Sequence, residues 1–187
     1  MKNKAKVVVI GGGVVGVSTL YHLAKQGWSD VVLCERKELT SGSTWHAAGL
    51  MPLFNMSYSV GQIHKYSVKF YQELEKETGQ DVGFREVSNI RLAETQDRMD
   101  EYKQYAGVAE TIGVKVNFLN PDEIKEIWPL CSTDGLIGAI QHPEDGYIQP
   151  NDLTQALAKG ARALGAEIYR QTAVTALEQL PDDSWIV

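Results

Sequence analysis

The chain has 187 residues with 18 basic and 24 acidic side chains, which gives a formal net charge of −6. Its 43% hydrophobic and 22% charged residues are typical of a folded globular protein and argue against intrinsic disorder. The acidic balance argues against nucleic acid as a partner. No apolar run approaches the ~18 residues that a membrane span requires. Two cysteines are too few for a disulfide framework or a cysteine-based zinc site, so we expect no bound metal.

The first segment has the pattern of a strand, a glycine turn, a helix and a second strand. Residues 7–10 and 31–34 are continuous apolar runs, which is typical of strands that are buried on both faces. Between them, residues 14–26 carry apolar side chains at helical spacing, and Gly27 suits the end of that helix. This order predicts two parallel strands joined by a right-handed crossover.

The rest of the chain continues to alternate between the two patterns. Residues 40–49 are small and polar and predict a loop that leads into a short helix. Helical spacing and start or stop signals predict helices at residues 60–74, 97–112 and 151–164, with a short one between Asn120 and Pro129. We expect strands at residues 86–93, 114–119, 135–141, 147–148, 166–169, 173–177 and 185–187.

Together these elements predict an α/β fold with a Rossmann-type nucleotide-binding domain. The composition changes near residue 82, and the patterns that suit the nucleotide-binding domain return near residue 149. We therefore expect this domain at residues 1–81 and 149–187, interrupted by an α+β piece at residues 82–148.

The residues from Gly11 to Gly16 match the G-x-G-x-x-G pattern. Gly11 permits the tight turn, Gly13 lets a pyrophosphate approach the backbone, and Gly16 lets the helix pack closely on the strand. Val14 and Val15 stand at the helix N-terminus, where free N–H groups attract phosphate. Because the motif follows a buried strand and opens a helix, its context favours dinucleotide binding.

Glu35 ends the second predicted strand, about 20 residues after the motif, as the dinucleotide-binding pattern requires. A carboxylate at this place accepts hydrogen bonds from a ribose diol and repels a 2′-phosphate, so NADP is disfavoured. The motif alone does not separate FAD from NAD. Arg36 and Lys37 are candidates for the adenine pocket, although such side chains are more often solvated.

Beyond this motif, the chain resembles a known family. Residues 7–36, followed by the string LTSGSTWHAAGL at residues 39–50, are similar to the start of the D-amino-acid-oxidase-like FAD-dependent oxidoreductases. The string most resembles the dimethylglycine dehydrogenase and sarcosine dehydrogenase branch, whose likeness extends through EKETG (75–79), NIRLA (89–93), WPL (128–130) and DGYIQP (145–150). It implies that the two outer parts of the chain bind FAD and that the inserted piece belongs to a substrate domain.

The resemblance also implies roles for individual residues. In this branch the histidine that matches His46 is joined covalently to the 8α-methyl group of FAD. Ser43 and Thr44 match positions whose hydroxyl and N–H groups suit the pyrophosphate, and Gly49 and Leu50 end the same string. Val174 matches a strand residue whose backbone meets the adenine ring. No side chain matches an identified catalytic acid or base.

The function that the resemblance implies is oxidation of a secondary or tertiary N-methyl amine, such as dimethylglycine. Electrons would pass from the flavin to an electron-transfer flavoprotein, and tetrahydrofolate would accept the one-carbon unit only in a longer form. Alternatives are a sarcosine dehydrogenase, an amine oxidase of the same fold, or, in a different class, a non-catalytic FAD-binding module.

The length of the chain is the main departure from the family, whose members are considerably longer than 187 residues. We therefore expect a truncated form that is inactive alone, because most of a substrate domain is missing from it. The start of the chain does not resemble a signal peptide, which predicts a cytoplasmic protein, or a mitochondrial matrix protein if it is eukaryotic and processed.

Overall fold

The computed structural model describes residues 1–53, 55 and 57–187. The helices in this part of the chain are α1 (Val14–Lys25), α2 (Tyr58–Thr78), α3 (Gln96–Ile112), α4 (Pro121–Ile127) and α5 (Pro150–Ala163), with a 3-10 helix at Ser43–His46. The strands are β1 (Val7–Ile10), β2 (Val31–Cys34), β3 (Leu50–Met51), β4 (Arg85–Glu86), β5 (Asn89–Ala93), β6 (Asn117–Leu119), β7 (Gly138–His142), β8 (Gly146–Tyr147), β9 (Glu167–Tyr169), β10 (Glu178–Gln179) and β11 (Trp185–Ile186). Within the described residues, no helix combines the length and the apolar character that a membrane crossing requires.

The chain forms two compact units. The first comprises Met1–Gly49, Tyr71–Gly83 and Gln149–Val187, and the second comprises Leu50–Phe70 and Phe84–Ile148. The sequence predicts breaks only near residues 82 and 149, whereas residues 50–70 also belong to the second unit. The physical reason is that Leu53 and Val68 are buried in one apolar cluster with Ile112.

The first unit is built on a parallel sheet in the order β1-β2-β9. Strand β2 lies at its centre, and all four of its residues are buried, as its continuous apolar run predicts. Helices α1 and α5 pack closely against each other because Gly160 has no side chain: a Cβ there would lie 2.6 Å from Cε2 of Tyr21. The predicted α/β class with a parallel sheet is therefore confirmed.

A polar contact fixes α1 to the end of α2 within the same unit. The Tyr21 side chain is buried, and its hydroxyl donates to the carboxylate of Glu77. Nζ of Lys25 donates to Oε1 of Glu77 at 2.7 Å. These two donors lower the pKa of Glu77, while burial raises the pKa of Tyr21. The contact therefore keeps a charged carboxylate at the edge of an otherwise apolar packing surface.

The second unit contains an antiparallel sheet in the order β5-β7-β6 with a helix against each face. On one face, Ala93 and Ile140 pack with Tyr102 of α3. On the other face, Leu119 and Ala139 pack with α4, which begins with the predicted capping box of Asn120 and Glu123. A second small sheet has the order β3-β8-β4.

Two predicted strands are placed differently in the structure. The predicted strand at residues 86–93 is divided into β4 and β5, because Ser88 has a left-handed backbone with φ 66°. Its N–H donates to the carbonyl oxygen of Asp145 at 2.8 Å instead of to a continuing ladder. Residues 173–177 form no strand, and the pairing lies further on, between β10 and β11.

Each unit holds one buried thiol. Cys34 is the last residue of β2, and Cys131 lies in the cluster under α4. Burial raises the pKa of the Cys34 thiol, so this group stays protonated at neutral pH. Neither cysteine is part of a disulfide, in agreement with the expectation from the cysteine count.

Two titratable side chains are buried at the end of β7 and in the turn that follows it. His142 is 1% exposed, and burial together with the charge of Arg91 lowers its pKa to about 4. Asp145 is 2% exposed, and its Oδ1 accepts a hydrogen bond of 2.8 Å from the N–H of Leu53. Burial raises the pKa of Asp145. Both shifts favour the neutral form of a group that has left water.

We expect His142 to make stability depend on pH between its unfolded pKa of 6.5 and its folded pKa of about 4. The unfolded chain binds a proton in this window and the folded chain does not, so stability is complete above pH 6.5 and declines as the pH falls. From pH 7 to pH 5 the free energy of unfolding should fall by about 2 kcal/mol more in the wild type than in His142→Gln. Urea denaturation at both pH values measures this difference. An equal decrease in the free energy of unfolding in the two proteins would contradict the prediction.

Candidate cofactor site

A cavity of about 490 Å³ opens in the first unit, beside the ends of β1 and β2 and the start of α1. Three segments line it: the glycine turn, the end of β2 and the segment that contains the 3-10 helix. The lining residues are Gly11, Gly12, Gly13, Val14, Val15, Glu35, Arg36, Lys37, Ser41, Gly42, Ser43, Thr44 and Ala47. The cavity thus lies at the carboxyl ends of parallel strands, where open α/β sheets bind their ligands.

The glycine turn needs its glycines for measurable reasons. Gly11 has φ 107°, a backbone conformation that residues other than glycine rarely adopt. Its N–H donates to the carbonyl oxygen of Cys34 at 2.9 Å. A Cβ on Gly16 would lie 2.0 Å from the carbonyl oxygen of Gly11. The first turn of α1 can therefore approach the end of β1 only because Gly16 has no side chain.

Gly12, which the motif treats as variable, is also constrained. A Cβ at this position would lie 2.6 Å from Cδ2 of Leu39 and 2.9 Å from Cβ of Glu35. The sequence motif could not identify this constraint, because it depends on side chains that follow β2. The run of three glycines is the one local signal that pointed to it.

The Glu35 carboxylate joins the glycine turn to the end of β2. It is 9% exposed; its Oε2 accepts from the N–H of Gly12 at 2.6 Å and its Oε1 from the N–H of Lys37 at 2.7 Å. Each carboxylate oxygen has two acceptor sites, so one on each oxygen stays available for the hydroxyls of a ribose. The group is thus held in place by the backbone and can still accept from a ligand.

The segment from Thr40 to Ala47 forms the opposite wall of the cavity. Oγ1 of Thr44 accepts a hydrogen bond of 2.9 Å from the N–H of Val14, the first residue of α1. The Thr44 hydroxyl hydrogen remains available for a phosphate oxygen. The first turn of α1 has no acidic residue, so no side chain of that turn competes with a phosphate for its N–H groups.

Eight of the residues that the sequence singled out line the cavity: Gly11, Gly13, Val14, Val15, Glu35, Arg36, Ser43 and Thr44. Lys37, which the sequence named beside Arg36 as a candidate for the adenine pocket, also lines the cavity. Sequence reasoning missed four lining residues, which are Gly12, Ser41, Gly42 and Ala47. Apart from Gly12, they are neighbours of predicted residues and have no pattern of their own. A short stretch on either side of each motif would have included them.

The other predicted residues lie outside the cavity lining. Gly16 packs behind the turn, and Gly49 has a left-handed backbone with φ 76°. Val174 is half-buried in a segment that is not a strand. Leu50 belongs to β3 of the second unit and is 69% exposed. His46 is the last residue of the 3-10 helix and is considered next.

The His46 side chain is exposed, and no described residue is its hydrogen-bond or ionic partner. The residue after it, Ala47, lines the cavity, and Thr44 two positions before it bonds to α1. Within the described part of the chain, His46 therefore has an unpaired imidazole on a segment whose backbone is anchored beside the cavity. This environment leaves its ring nitrogens available to a ligand.

The residues of the cavity fit a dinucleotide with a ribose diol and a pyrophosphate. The glycine turn, the buried acceptor Glu35 and the start of α1 are the features such a ligand requires. Among the described residues, no group of three histidine, cysteine, aspartate or glutamate side chains could hold a metal ion.

A comparison of the sequence with known protein families identifies the family of this chain. Residues 6–187 match the model of the family described as FAD dependent oxidoreductase (DAO), and the chain belongs to this family. The crystal structure of L-proline dehydrogenase from P. horikoshii has a TM-score of 0.90 and 28% identity, over 97% of this chain and 48% of that one. The family is described as FAD dependent, which supports FAD as the dinucleotide.

Individual proteins with sequences similar to this chain indicate which branch of the family it resembles. The chain is 46% identical over 186 residues to dimethylglycine dehydrogenase, mitochondrial, of Rattus norvegicus, which is 100% of this chain and 22% of that protein. It is 39% identical to sarcosine dehydrogenase, mitochondrial, of Homo sapiens (98% of this chain, 20% of that protein). It is 37% identical to the pyruvate dehydrogenase phosphatase regulatory subunit, mitochondrial, of Mus musculus (91% and 20%). The chain spans about a fifth of the length of these relatives.

We expect Glu35→Gln to weaken FAD binding at least tenfold. Glutamine offers one acceptor oxygen where two backbone N–H groups need acceptors, and an unsatisfied buried donor costs about 1–3 kcal/mol. Glu38→Gln is the matched control, because it removes the same charge from an exposed carboxylate that pairs with Arg170. Equilibrium titration with FAD measures the effect, in apoproteins that also carry His46→Ala so that binding stays reversible. Equal dissociation constants for the two variants would contradict the role of Glu35.

Proposed function

We propose that the chain is the N-terminal part of an FAD-dependent dehydrogenase that demethylates an N-methylated glycine such as dimethylglycine. The observation that carries the proposal is 46% identity to a dimethylglycine dehydrogenase over the whole chain, combined with a cavity suited to FAD. When bound, FAD supplies the acceptor for the two electrons that leave the N-methyl group.

In this proposal the residues of the chain bind and orient the cofactor. Glu35 accepts hydrogen bonds from the adenosine ribose, while the start of α1 and the hydroxyl of Thr44 bind the pyrophosphate. Arg36 and Val174 lie toward the adenine. The buried Glu35 carboxylate keeps its orientation because two backbone N–H groups already hold it.

We further propose that His46 forms a covalent bond to the 8α-methyl carbon of FAD. An exposed imidazole that has no partner among the described residues, on an anchored segment, supports this role. The bond replaces one C–H and one N–H bond with a C–N bond. Two electrons and two protons are therefore released, and dioxygen is an oxidant that can accept them. The bond would prevent dissociation of the cofactor.

Covalent attachment is tested with the complete gene product. Denaturing electrophoresis should show flavin fluorescence that moves with the wild-type protein and is abolished in His46→Ala. His22→Ala is the matched control, since His22 lies on α1 and contacts Ser18 of the same helix. Fluorescence that persists in His46→Ala, or is lost equally in both variants, would contradict the assignment.

The proposal extends to the partners of the complete enzyme. An electron-transfer flavoprotein would reoxidise the cofactor, and tetrahydrofolate would bind only to a longer form of the protein. We propose the mitochondrial matrix if the source is eukaryotic, as the names of the relatives indicate, and the cytoplasm if it is prokaryotic. Sarcosine is the alternative substrate, because a sarcosine dehydrogenase is also similar over nearly the whole chain.

A second function deserves a test, because a relative of 37% identity is named as a regulatory subunit. In that case the chain would bind a dinucleotide without redox chemistry. The His46 string argues for the redox function, since a covalent flavin has little use in a regulatory module.

Activity separates these functions. We expect the complete gene product to reduce an artificial dye with dimethylglycine faster than with sarcosine, with little dioxygen consumption, and the 187-residue chain alone to be inactive. Faster dioxygen consumption than dye reduction would indicate an oxidase. Tight FAD binding without amine-dependent reduction of dye or dioxygen would indicate the regulatory function.

A further inference from the structure

Thr40 has an unusual backbone conformation at the start of the cavity wall. Its φ is 69°, in the left-handed region that a β-branched residue rarely adopts. The side chain is 6% exposed. Conformations of this kind cost about 1–3 kcal/mol and persist only where the surroundings hold them. The contacts that hold Thr40 therefore also control the segment that follows it.

Three hydrogen bonds hold Thr40. Its N–H donates to the carbonyl oxygen of Gly12 at 2.9 Å, and its carbonyl accepts from the N–H of Trp45 at 3.2 Å. Its hydroxyl donates to Oδ1 of Asn151 at 2.8 Å. The first two bonds join Thr40 to the glycine turn and to the 3-10 helix. The third joins it to a residue 111 positions further along the chain.

Asn151 stands on a rigid element. It is the second residue of α5, whose start is fixed by the hydroxyl of the buried Thr154, which donates to the carbonyl of Pro150 at 2.7 Å. Helix α5 packs against both α1 and the 3-10 helix. The Asn151 amide oxygen is therefore a fixed acceptor toward which the Thr40 hydroxyl is directed.

We propose that Asn151 is a positioning residue for the cofactor site, which acts through Thr40. The Thr40–Asn151 hydrogen bond holds the strained backbone at Thr40, and this keeps the wall from Ser41 to Ala47 in the conformation that binds FAD. Asn151 itself does not line the cavity. The inference rests on the FAD binding of the proposed function and does not require the bond to His46.

Without this bond the wall leaves its binding conformation for part of the time. The apparent dissociation constant of a ligand rises by the inverse of the fraction that remains competent. One hydrogen bond is worth about 1 kcal/mol net, so its loss lowers the ratio of competent to incompetent molecules about fivefold. Because the strain at Thr40 already opposes the competent form, we expect the dissociation constant of FAD to rise by nearly the same factor.

The experiment measures reversible FAD binding to the complete gene product in a His46→Ala background. Apoprotein is titrated with FAD and the quenching of flavin fluorescence is recorded. Asn151→Ala should raise the dissociation constant about fivefold with little change in melting temperature, because Asn151 is exposed. Asn151→Asp should stay within about twofold of the parent, because it keeps an acceptor oxygen for the Thr40 hydroxyl.

A double-mutant cycle with Thr40→Val separates this role from a general effect on α5. Valine keeps the shape of threonine and removes the hydroxyl, so Thr40→Val should weaken FAD binding at least as much as Asn151→Ala. Adding Asn151→Ala to Thr40→Val should then change the dissociation constant less than about twofold. Independent effects in the cycle would overturn the inference.

The failures of the two proposals are distinguishable. If the parent binds FAD and Asn151→Ala binds it equally well, the positioning role is wrong and the proposed function stands. If Asn151→Asp is as weak as Asn151→Ala, the role of the acceptor oxygen is likewise wrong. If neither the parent nor the wild-type protein binds FAD, both proposals are overturned.

Discussion

The hydrogen bond from the Gly12 N–H to Oε2 of Glu35, at 2.6 Å, is the contact on which the geometry of the first unit depends. It draws the glycine turn against the end of β2, which leaves no space for a side chain on Gly12. The same carboxylate accepts from the N–H of Lys37, so it also fixes the path of the chain after β2. The buried Glu35 carboxylate thus holds this turn by hydrogen bonds rather than by side-chain packing. It does so at the place where a ribose would be recognised.

The elements that could be predicted are those whose cause is local. The apolar runs of β1 and β2, the glycine turn and the capping box of Asn120 each follow from residues within a few positions of each other. For the same reason, most residues of the cavity lining were recognised from a single motif or string. Local patterns are sufficient where the backbone hydrogen bonds of one turn or one helix decide the structure.

The features that could not be predicted depend on contacts between distant parts of the chain. The pattern at residues 86–93 alternates without interruption, and only the contact of Ser88 with the Asp145 carbonyl divides the strand. Helix α2 has one continuous period, yet Val68 is buried in the second unit and Leu74 in the first. The partner of Thr40 lies 111 positions away, so no spacing rule could identify it. Periodicity indicates which face of an element is buried and carries no information about what covers that face.

The placement of the thiols has a practical consequence for the study of this protein. The chain has two cysteines, and each unit buries one of them, Cys34 in the first and Cys131 in the second. A thiol reagent reaches a buried cysteine only when the surrounding structure opens, so its reaction rate reports the free energy of that opening. Two single-cysteine variants would therefore report the free energy of opening of each unit separately, without any attached probe.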